Sequence, residues 1–353
     1  MFGIMGTSGA FAQAAGRAGK GAPVGKIILD TQFADPTISS ISCTGEIKVT
    51  TIKNGAPLVE TYTDLDGETL SIQADANTQI VISGAEITAC EIGENTDYTK
   101  ISAKDTALTE LNCNNCYALT TLDVSKDTAL TELNCNNCYA LTTLDVSKNT
   151  ALTTLYCGSC YALTALDVSK NTALTELDCG DCYALTTLDV SKNTALTTLY
   201  CGYCYALTAL DVSKNTALTM LDCGSCYALT TLDVSKNTAL TTLDCYNCYA
   251  LTTLDVSKNT ALTTLNCGDC YALTALDVSK NTALTYLNCN DCKKLVSISY
   301  PATNEDVSTA VAGAITAADA DNGTVYTDSA ADYYSTIADA ATAKGWTIEQ
   351  IPA

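Results

Sequence analysis

The residues best suited to chemistry in this sequence are its cysteines, which form nine Cys-x-x-Cys pairs between Cys113 and Cys292. Thiolates at this spacing bind zinc or exchange disulfides, so each pair is a candidate metal or redox site. Redox-active pairs of the thioredoxin kind occur singly in a βαβ unit, and this sequence offers no such context. Zinc needs four converging thiolates, which two stacked pairs could supply. Free cysteine also packs as a small hydrophobic side chain, which gives a structural interpretation.

Few other residues point to catalysis. The 353 residues include no histidine, which removes imidazole bases, Ser-His-Asp and Cys-His systems and histidine-liganded zinc. The N-terminal glycines lack the strand-then-helix context of a phosphate-binding loop. A formal net charge of -21 argues against nucleic-acid binding, and no apolar run is long enough for a membrane helix. We predict no enzymatic activity, no cofactor, no bound metal, no nucleic-acid partner and no membrane span.

A repeat positions the cysteines. From Thr106 to Cys292 a 22-residue unit recurs about eight and a half times. The unit divides into two 11-residue halves, each following A-L-T-x-L-x-[VC]-x-x-[NC]-[TY]. This pattern matches the leucine-rich repeat template L-x-x-L-x-L-x-x-[NC]-x-L, in which Asn or Cys fills an inward position.

The sequence resembles the short, alternating leucine-rich repeats of secreted and surface proteins of Bacteroidota and their phages, where C-x-x-N-x-L and L-D-V-S-x-N halves alternate. The resemblance implies a mainly β fold, a leucine-rich-repeat β-solenoid with two parallel strands per coil. One departure stands out, because the Asn expected after the first Cys is itself Cys in all nine copies. The hydrogen-bonded ladder of that half is then expected to be made of thiols.

Strand alternation predicts which side chains face the core. Successive residues of a strand point to opposite sides, so Leu122 and Val124 point inward while Asp123 points outward. In the other half, Leu111 and Cys113 point inward by the same rule. Neither half can bury its apolar side alone, so the stack of coils, about 4.8 Å apart and about 40 Å long, is the folding unit.

Both cysteines of each pair therefore fall at inward positions, and we predict a reduced structural ladder. Disulfides between stacked coils and a metal site stay open as alternatives, since the coil spacing lies within disulfide range. The predicted ladder consists of Cys113, Cys116, Cys135, Cys138, Cys157, Cys160, Cys179, Cys182, Cys201, Cys204, Cys223, Cys226, Cys245, Cys248, Cys267, Cys270, Cys289 and Cys292.

Composition divides the chain into four parts. Residues 1–25 are rich in Gly and Ala and predict a docking arm, residues 26–98 a small β-domain, residues 99–299 the solenoid, and residues 300–353 an α/β C-terminal cap. In the β-domain, Asn54-Gly55 and Asp66-Gly67 predict turns between short strands. Residues 85–105 predict an irregular first coil.

The cap should cover the open end of the solenoid. Asn304 predicts the start of a helix, and 324–327 predicts a strand. A second helix is expected over 329–344, ended by Gly345, with a last strand over 346–351.

Four further columns repeat at the 22-residue period. We interpret Asp123 to Asp277 and Lys126 to Lys280 as mutually compensating charges on a solvated face rather than a cation or acid-base array. Asn149 to Asn281 should satisfy backbone groups at a coil corner. Tyr117 to Tyr271 predict a stacked aromatic column, with a sugar-stacking stripe as the alternative.

Variation between repeats is concentrated in the cysteine half, while the L-D-V-S-K half hardly changes. Diversity enriched in tyrosine on one sheet is typical of an interaction face, and neutral drift on solvated positions is the competing interpretation. The candidate face consists of Tyr156, Asp178, Tyr200, Tyr203, Met220, Tyr246, Asp269 and Tyr286.

The N-terminal arm favours one functional setting. A Gly/Ala-rich segment cannot offset an ordering cost of about 1 to 2 kcal/mol per residue, so an ordered arm requires a partner surface. The candidate docking residues are Phe2, Ile4, Met5, Phe11, Arg17 and Lys20.

These features predict a structural or attachment protein of a phage virion, in the head or in a tail fibre. Its arm would dock on capsid or tail proteins, and its solenoid would meet a host glycan or surface protein. We expect a homo-oligomer or part of a large assembly. A secreted surface adhesion protein of Bacteroidota is the alternative, although the sequence shows no recognisable signal peptide. A metal- or redox-active thiol protein comes third.

Overall fold

The computed structural model describes residues 25–84, 87–92, 98–104, 107–300, 305–319, 323–327 and 334–350. The protein is mainly β, a leucine-rich-repeat solenoid with a β-structured N-terminal region and an α/β C-terminal end. The predicted docking residues lie outside the described residues; they are Phe2, Ile4, Met5, Phe11, Arg17 and Lys20.

Eight strands precede the regular repeats. They are β1 (Gly25–Thr31), β2 (Thr37–Cys43), β3 (Glu46–Lys53), β4 (Ala56–Thr63), β5 (Asp66–Ser71), β6 (Gln79–Gly84), β7 (Ile87–Glu91) and β8 (Tyr98–Lys104). Strands β4-β3-β6-β1-β8 form one sheet and β5-β2-β7 belong to another. Inward isoleucines such as Ile27, Ile41 and Ile82 fill a core that is continuous with the solenoid core.

One turn in this region is where the sequence predicts it and another is not. Asn54 and Gly55 both have positive φ, 53° and 73°, and join β3 to β4 as the Asn-Gly pattern predicts. The turn expected at Asp66-Gly67 is wrong, because both residues lie in β5. Gly67, at φ 80°, lies where the pairing of β5 with β2 shifts register, as glycine does in a bulge.

The first coil expected over 85–105 is present, but its described strands are regular rather than irregular. Strand β7 pairs in parallel with the first repeat strand, Cys90 opposite Leu111, and β8 pairs likewise with the next, Ile101 opposite Leu122. This coil has 21 residues rather than 22 and lacks the A-L-T signature, which hides it from self-comparison. Its regular strands connect the N-terminal sheets directly to the solenoid.

The repeats contribute thirteen short strands. They are β9 (Glu110–Asn112), β10 (Thr121–Asp123), β11 (Glu132–Asn134), β12 (Thr154–Tyr156), β13 (Glu176–Asp178), β14 (Thr198–Tyr200), β15 (Met220–Asp222), β16 (Leu232–Asp233), β17 (Thr242–Asp244), β18 (Leu254–Asp255), β19 (Thr264–Asn266), β20 (Ala275–Asp277) and β21 (Tyr286–Asn288).

The two sides of the solenoid differ in regularity. The cysteine halves, together with β5, β2 and β7 from the N-terminal region, build what we call the cysteine sheet, twelve strands in the order β5-β2-β7-β9-β11-β12-β13-β14-β15-β17-β19-β21. The other halves form what we call the asparagine face. There β10 continues the N-terminal sheet, and β16, β18 and β20 form a sheet toward the C-terminus. Between β10 and β16 the described pairing on this face consists of isolated β-bridges, which join Leu166 with Leu188 and Leu210 with Leu232.

The core contains the inward residues that the alternation predicts. Leu155, Cys157 and Cys160 are fully buried, and their equivalents recur along the stack. The strand leucines of the asparagine face, such as Leu166 and Leu188, keep 7% of their surface exposed. The cysteine sheet is therefore the more tightly closed side.

The C-terminal end consists of β22 (Ser297–Tyr300), α1 (Glu305–Ala317), β23 (Thr324–Thr327), α2 (Tyr334–Lys344) and β24 (Thr347–Gln350). Strands β22, β23 and β24 extend the sheet of the asparagine face in parallel from β20. Helix α1 lies at the last coil, where Cys289 Sγ contacts Ala310 O at 3.6 Å. Gly345, at φ 69°, ends α2 as expected. Neither described helix is long and apolar enough to cross a membrane.

The cysteine sheet as a candidate functional site

The cysteines form an inward ladder of thiols. The second cysteine of each coil donates a hydrogen bond to the carbonyl of the first cysteine in the preceding coil, as from Cys138 Sγ to Cys113 O at 3.3 Å. The bond recurs at 3.2–3.3 Å up to Cys292 and Cys267. All eighteen repeat cysteines are buried free thiols.

This environment opposes thiolate chemistry. The pKa of Cys157 lies well above its usual value because of its hydrogen bond with Cys182 and because of burial, and most first cysteines behave alike. Catalytic and metal-binding cysteines act as thiolates, which this burial disfavours. Within the described ranges no three ligand-type side chains converge on a possible metal position.

An amide ladder occupies the opposite corner. Asn149 Nδ2 donates to Val124 O at 2.9 Å and to Asp127 O at 2.8 Å, both in the preceding coil. The same pair of bonds recurs in every coil to Asn281. The predicted role of these amides at a coil corner is confirmed.

The aspartate column of the asparagine face stabilises turns. Asp145 Oδ1 accepts a hydrogen bond from Ser147 N at 2.9 Å, and the contact recurs to Asp277. This bond, then the Ser147 hydroxyl, lowers the pKa of Asp145, and the charge of Lys148 is a smaller cause. Among the described residues no Asp of this column forms an ion pair with a Lys. The predicted charge compensation therefore acts through solvent rather than through ion pairs, because the carboxylates turn back onto their own backbone.

The tyrosine column is stacked as predicted. Ring centroids from Tyr117 to Tyr271 are 4.5–4.8 Å apart, with interplanar angles of 3–18°. Because each inner ring lies between two others, its faces are already covered. A sugar ring stacks on an open aromatic face, so the inner column does not suit the sugar-stacking alternative.

The predicted interaction residues lie on one side of the molecule. Five of them belong to strands of the cysteine sheet; they are Tyr156, Asp178, Tyr200, Met220 and Tyr286. The other three occupy the turns between paired cysteines; they are Tyr203, Tyr246 and Asp269. Tyr203 and Tyr286 are the most exposed of the eight, at 46% and 42%.

Carboxylates near the centre of this sheet are held against its backbone. Asp178 accepts hydrogen bonds from Gly180 N at 3.0 Å and Asn136 Nδ2 at 3.2 Å. Asp222 accepts one from Gly224 N at 2.9 Å. Burial, together with the neighbouring Asp244, raises the pKa of Asp222 to about 7.

Asp222 and Asp244 were missed among the candidate residues, although the sequence carries a signal for them. A Cβ on Gly202 would lie 2.9 Å from Asp222 Oδ1, and one on Gly224 would lie 3.1 Å from Asp244 Oδ1. A glycine after the first cysteine thus makes room for a carboxylate one coil later. The coincidence of glycine in one repeat with aspartate in the next is readable from the sequence.

Charge separates the two sides of the solenoid. Between residues 107 and 292 the asparagine halves carry eight paired Asp and Lys positions and the buried Asp127. The cysteine halves carry no basic residue. Their acidic residues are Glu110, Glu132, Glu176, Asp178, Asp181, Asp222, Asp244, Asp269 and Asp291.

The solved structures similar to this chain include the following three. The functional domain of InlJ from Listeria monocytogenes, described as including a cysteine ladder, is 29% identical over 73% of this chain and 72% of that one, with a TM-score of 0.35. An internalin, inlF, from the same organism is 16% identical over 72% and 87%, with a TM-score of 0.35. The plant peptide hormone receptor RGFR1 in complex with RGF2 is 11% identical over 69% and 60%, with a TM-score of 0.25. No protein-family model and no curated protein matches the sequence.

Proposed function

We propose that this protein is a non-enzymatic attachment protein whose cysteine sheet is its binding face. The observation that carries the proposal is that, within the repeats between residues 107 and 292, sequence variation and unbalanced acidic charge are both concentrated in the cysteine halves. Both faces of each coil share the same backbone stack, so folding alone places similar demands on their outward positions. The difference between them fits selection for contact with a partner.

The composition of the chain supports a virion setting for this activity. Residues 1–26 contain Arg17, Lys20 and Lys26 and no acidic residue, whereas the rest of the chain is strongly acidic. In our proposal, residues 1–25 dock on an acidic surface of a phage capsid or tail, and the solenoid projects toward a host glycan or surface protein. A secreted adhesion protein of Bacteroidota is the second candidate, because the same binding face would serve it. The first cysteines of the pairs, such as Cys157, have a raised pKa that disfavours the thiolate, and they give little support to a metal or redox protein.

The binding face is tested with labelled full-length chain on bacterial cells and on arrays of their surface glycans and proteins. Tyr203 and Tyr286 are replaced by serine, and Thr142 and Thr164 of the asparagine face are replaced by alanine as the control. We expect the tyrosine variant to lose about tenfold in affinity, since exposed tyrosines are common anchors, while the control binds normally. Equal binding by wild type and both variants would refute the proposed face.

The docking arm is tested by deleting residues 1–25. We expect the truncated chain to stay folded and monodisperse, because the solenoid core lies elsewhere, but to fail to incorporate into phage particles. Incorporation at the wild-type level would end the virion-docking proposal and leave the adhesion setting.

A further inference from the structure

The acidic residues of the cysteine sheet are neighbours in space. Glu110 lies directly opposite Glu132 across the parallel pair β9 and β11. Asp222 lies opposite Asp244 across β15 and β17. Like charges facing each other across paired strands destabilise a sheet.

Within the repeats, basic residues balance few of these charges: among the described acidic residues of the cysteine halves, Asp291 at the C-terminal end forms an ion pair, with Lys293. The cysteine halves contain no Lys or Arg between residues 107 and 292, and the Lys column belongs to the opposite face. The pKa of Glu132 is raised by burial and then by Glu110 and Glu176, which shows that neighbouring carboxylates repel its charge. A cationic partner would relieve this repulsion.

Aromatic rings are interleaved with the carboxylates. Tyr156 and Tyr200 are the two register neighbours of Asp178, on either side of it in the same column. A tyrosine ring attracts an ammonium or guanidinium group placed over its face, and a carboxylate attracts it as an ion. Carboxylate beside tyrosine is thus a surface suited to Lys and Arg side chains.

The pattern extends along the stack rather than around one point. Acidic residues run from Glu110 in the first repeat to Asp291 in the ninth, a span of about 40 Å at the usual strand spacing. One small ion would neutralise one or two coils only. An extended polypeptide with a rise of about 3.3 Å per residue covers the same span in roughly twelve residues.

We propose that the cysteine sheet binds an extended, Lys/Arg-rich segment of a partner protein laid along the solenoid axis. This inference rests on the proposed function, since it names the chemistry of the partner for the same face. Arginine is the better fit at the tyrosines, because its planar group both stacks on a ring and pairs with a carboxylate.

The test uses the full chain and a fluorescent twelve-residue peptide of alternating Arg and Gly, followed by fluorescence anisotropy. A peptide of alternating Glu and Gly is the negative probe. The face variant combines Glu110→Gln, Glu132→Gln, Glu176→Gln and Asp269→Asn. The matched variant makes the same change of net charge on the asparagine face, with Asp145→Asn, Asp167→Asn, Asp189→Asn and Asp211→Asn.

We expect the arginine peptide to bind wild type, with affinity falling as salt rises, and the glutamate peptide not to bind. The face variant should lose about tenfold or more in affinity and the matched variant less than about twofold, because only the first removes contacting charges. Circular dichroism and thermal unfolding check that both variants keep the fold.

An equal loss in the two variants would overturn the inference, because the peptide would then respond to net charge alone. Absence of peptide binding would overturn it too, as would face-dependent binding of spermine without binding of the peptide. Tyrosine-dependent binding to cells could persist in either case, so the proposed function would survive the failure of this inference. Loss of tyrosine dependence would refute the proposed function itself.

Discussion

The two inward corners of each coil both donate hydrogen bonds to the preceding coil, one from an amide and the other from a thiol. At one corner an asparagine amide donates to two carbonyls of the preceding coil, as Asn193 does to Val168 O at 3.0 Å and Asn171 O at 2.8 Å. At the other, the thiol of Cys182 donates one longer bond to Cys157 O at 3.3 Å. Both reach the carbonyl 25 residues earlier. The comparison shows that one backbone stack is closed by hydrogen bonding on one side and mainly by packing on the other.

The two corners also differ in the side of the solenoid that follows each of them along the chain. The amide corner precedes the strand of the variable cysteine sheet, and the thiol corner precedes the nearly invariant asparagine face. The amide oxygens, such as Asn193 Oδ1, accept no hydrogen bond from the described residues, so burial of the amide carries a cost that the thiol largely avoids. The amide ladder thus gives directional bonds, while the thiol ladder gives dry packing.

Removing one amide should have the largest effect on stability. Asn193→Ala leaves two buried carbonyls without their donor and a small cavity, so we expect the free energy of unfolding to fall by about 3 to 5 kcal/mol. Urea denaturation measures it. Asn193→Cys is the control and should lose less, because a thiol can make the single bond seen at the other corner. A loss below about 1 kcal/mol for Asn193→Ala would show that the two corners are equivalent.

Removing one thiol should cost less. Cys182→Ala deletes a buried sulfur and its weak hydrogen bond, and we expect a loss of about 2 kcal/mol in the same denaturation experiment. Cys182→Asn introduces the residue type of the opposite corner and should recover most of that loss, since Nδ2 can reach Cys157 O. A loss for Cys182→Ala as large as that for Asn193→Ala would contradict the distinction between bonded and packed corners.

Most of the solenoid could be predicted because its period is explicit in the sequence. The alternation in Leu111-Asn112-Cys113 fixes which side chains are buried, and stacking of identical residues fixes the amide and tyrosine columns. The first coil was harder to recognise, because β7 and β8 keep the strand geometry without the A-L-T signature. The sequence predicts a first coil over 85–105, but local pattern cannot show that its strands are regular, since only pairing with β9 and β10 reveals it.

The candidate site was only partly predictable. Variation between repeats identified Tyr156, Asp178 and Tyr200 on one sheet. It could not show that the aspartates of the asparagine face prefer their own turns to the neighbouring lysines, since both contacts lie within reach along the chain. The direction of the Asp145 carboxylate depends on the conformation of the turn at Ser147, which spacing alone leaves open.

The two outward aspartate environments predict opposite responses to pH. Burial raises the pKa of Asp222 from 3.8 to about 7, so between these values the folded state binds a proton that the unfolded chain releases. Stability associated with Asp222 therefore falls as pH rises from about 4 to about 7. We expect Asp222→Asn to stabilise the protein by about 1 kcal/mol at pH 8 and by less at pH 5. The expected free-energy change is reduced because the side chain is partly exposed to solvent. Urea denaturation at both pH values measures it.

Asp211 on the asparagine face is the matched control. Hydrogen bonding to the backbone and then the hydroxyl of Ser213 lowers its pKa, so its contribution is present above the unfolded value and disappears as pH falls. Asp211→Asn should therefore be neutral or slightly destabilising at pH 8. Stabilisation of both variants at pH 8 would mean that overall charge, and not local burial, sets the response.

The smallest effect is expected for the lysine column, and it distinguishes turn formation from ion pairing on the asparagine face. Asp189 accepts its hydrogen bond from Ser191 N at 2.9 Å, and the charge of Lys192 is a lesser cause of its lowered pKa. Because Lys192 is exposed and its attraction to Asp189 acts through solvent, Lys192→Ala should change the free energy of unfolding by less than about 0.5 kcal/mol. This small change should shrink further as salt rises, because salt screens exposed charges. Asp189→Ala, which removes the turn acceptor, should cost more than Lys192→Ala. A loss above about 1 kcal/mol for Lys192→Ala that vanishes at high salt would restore ion pairing as the organising interaction of that face.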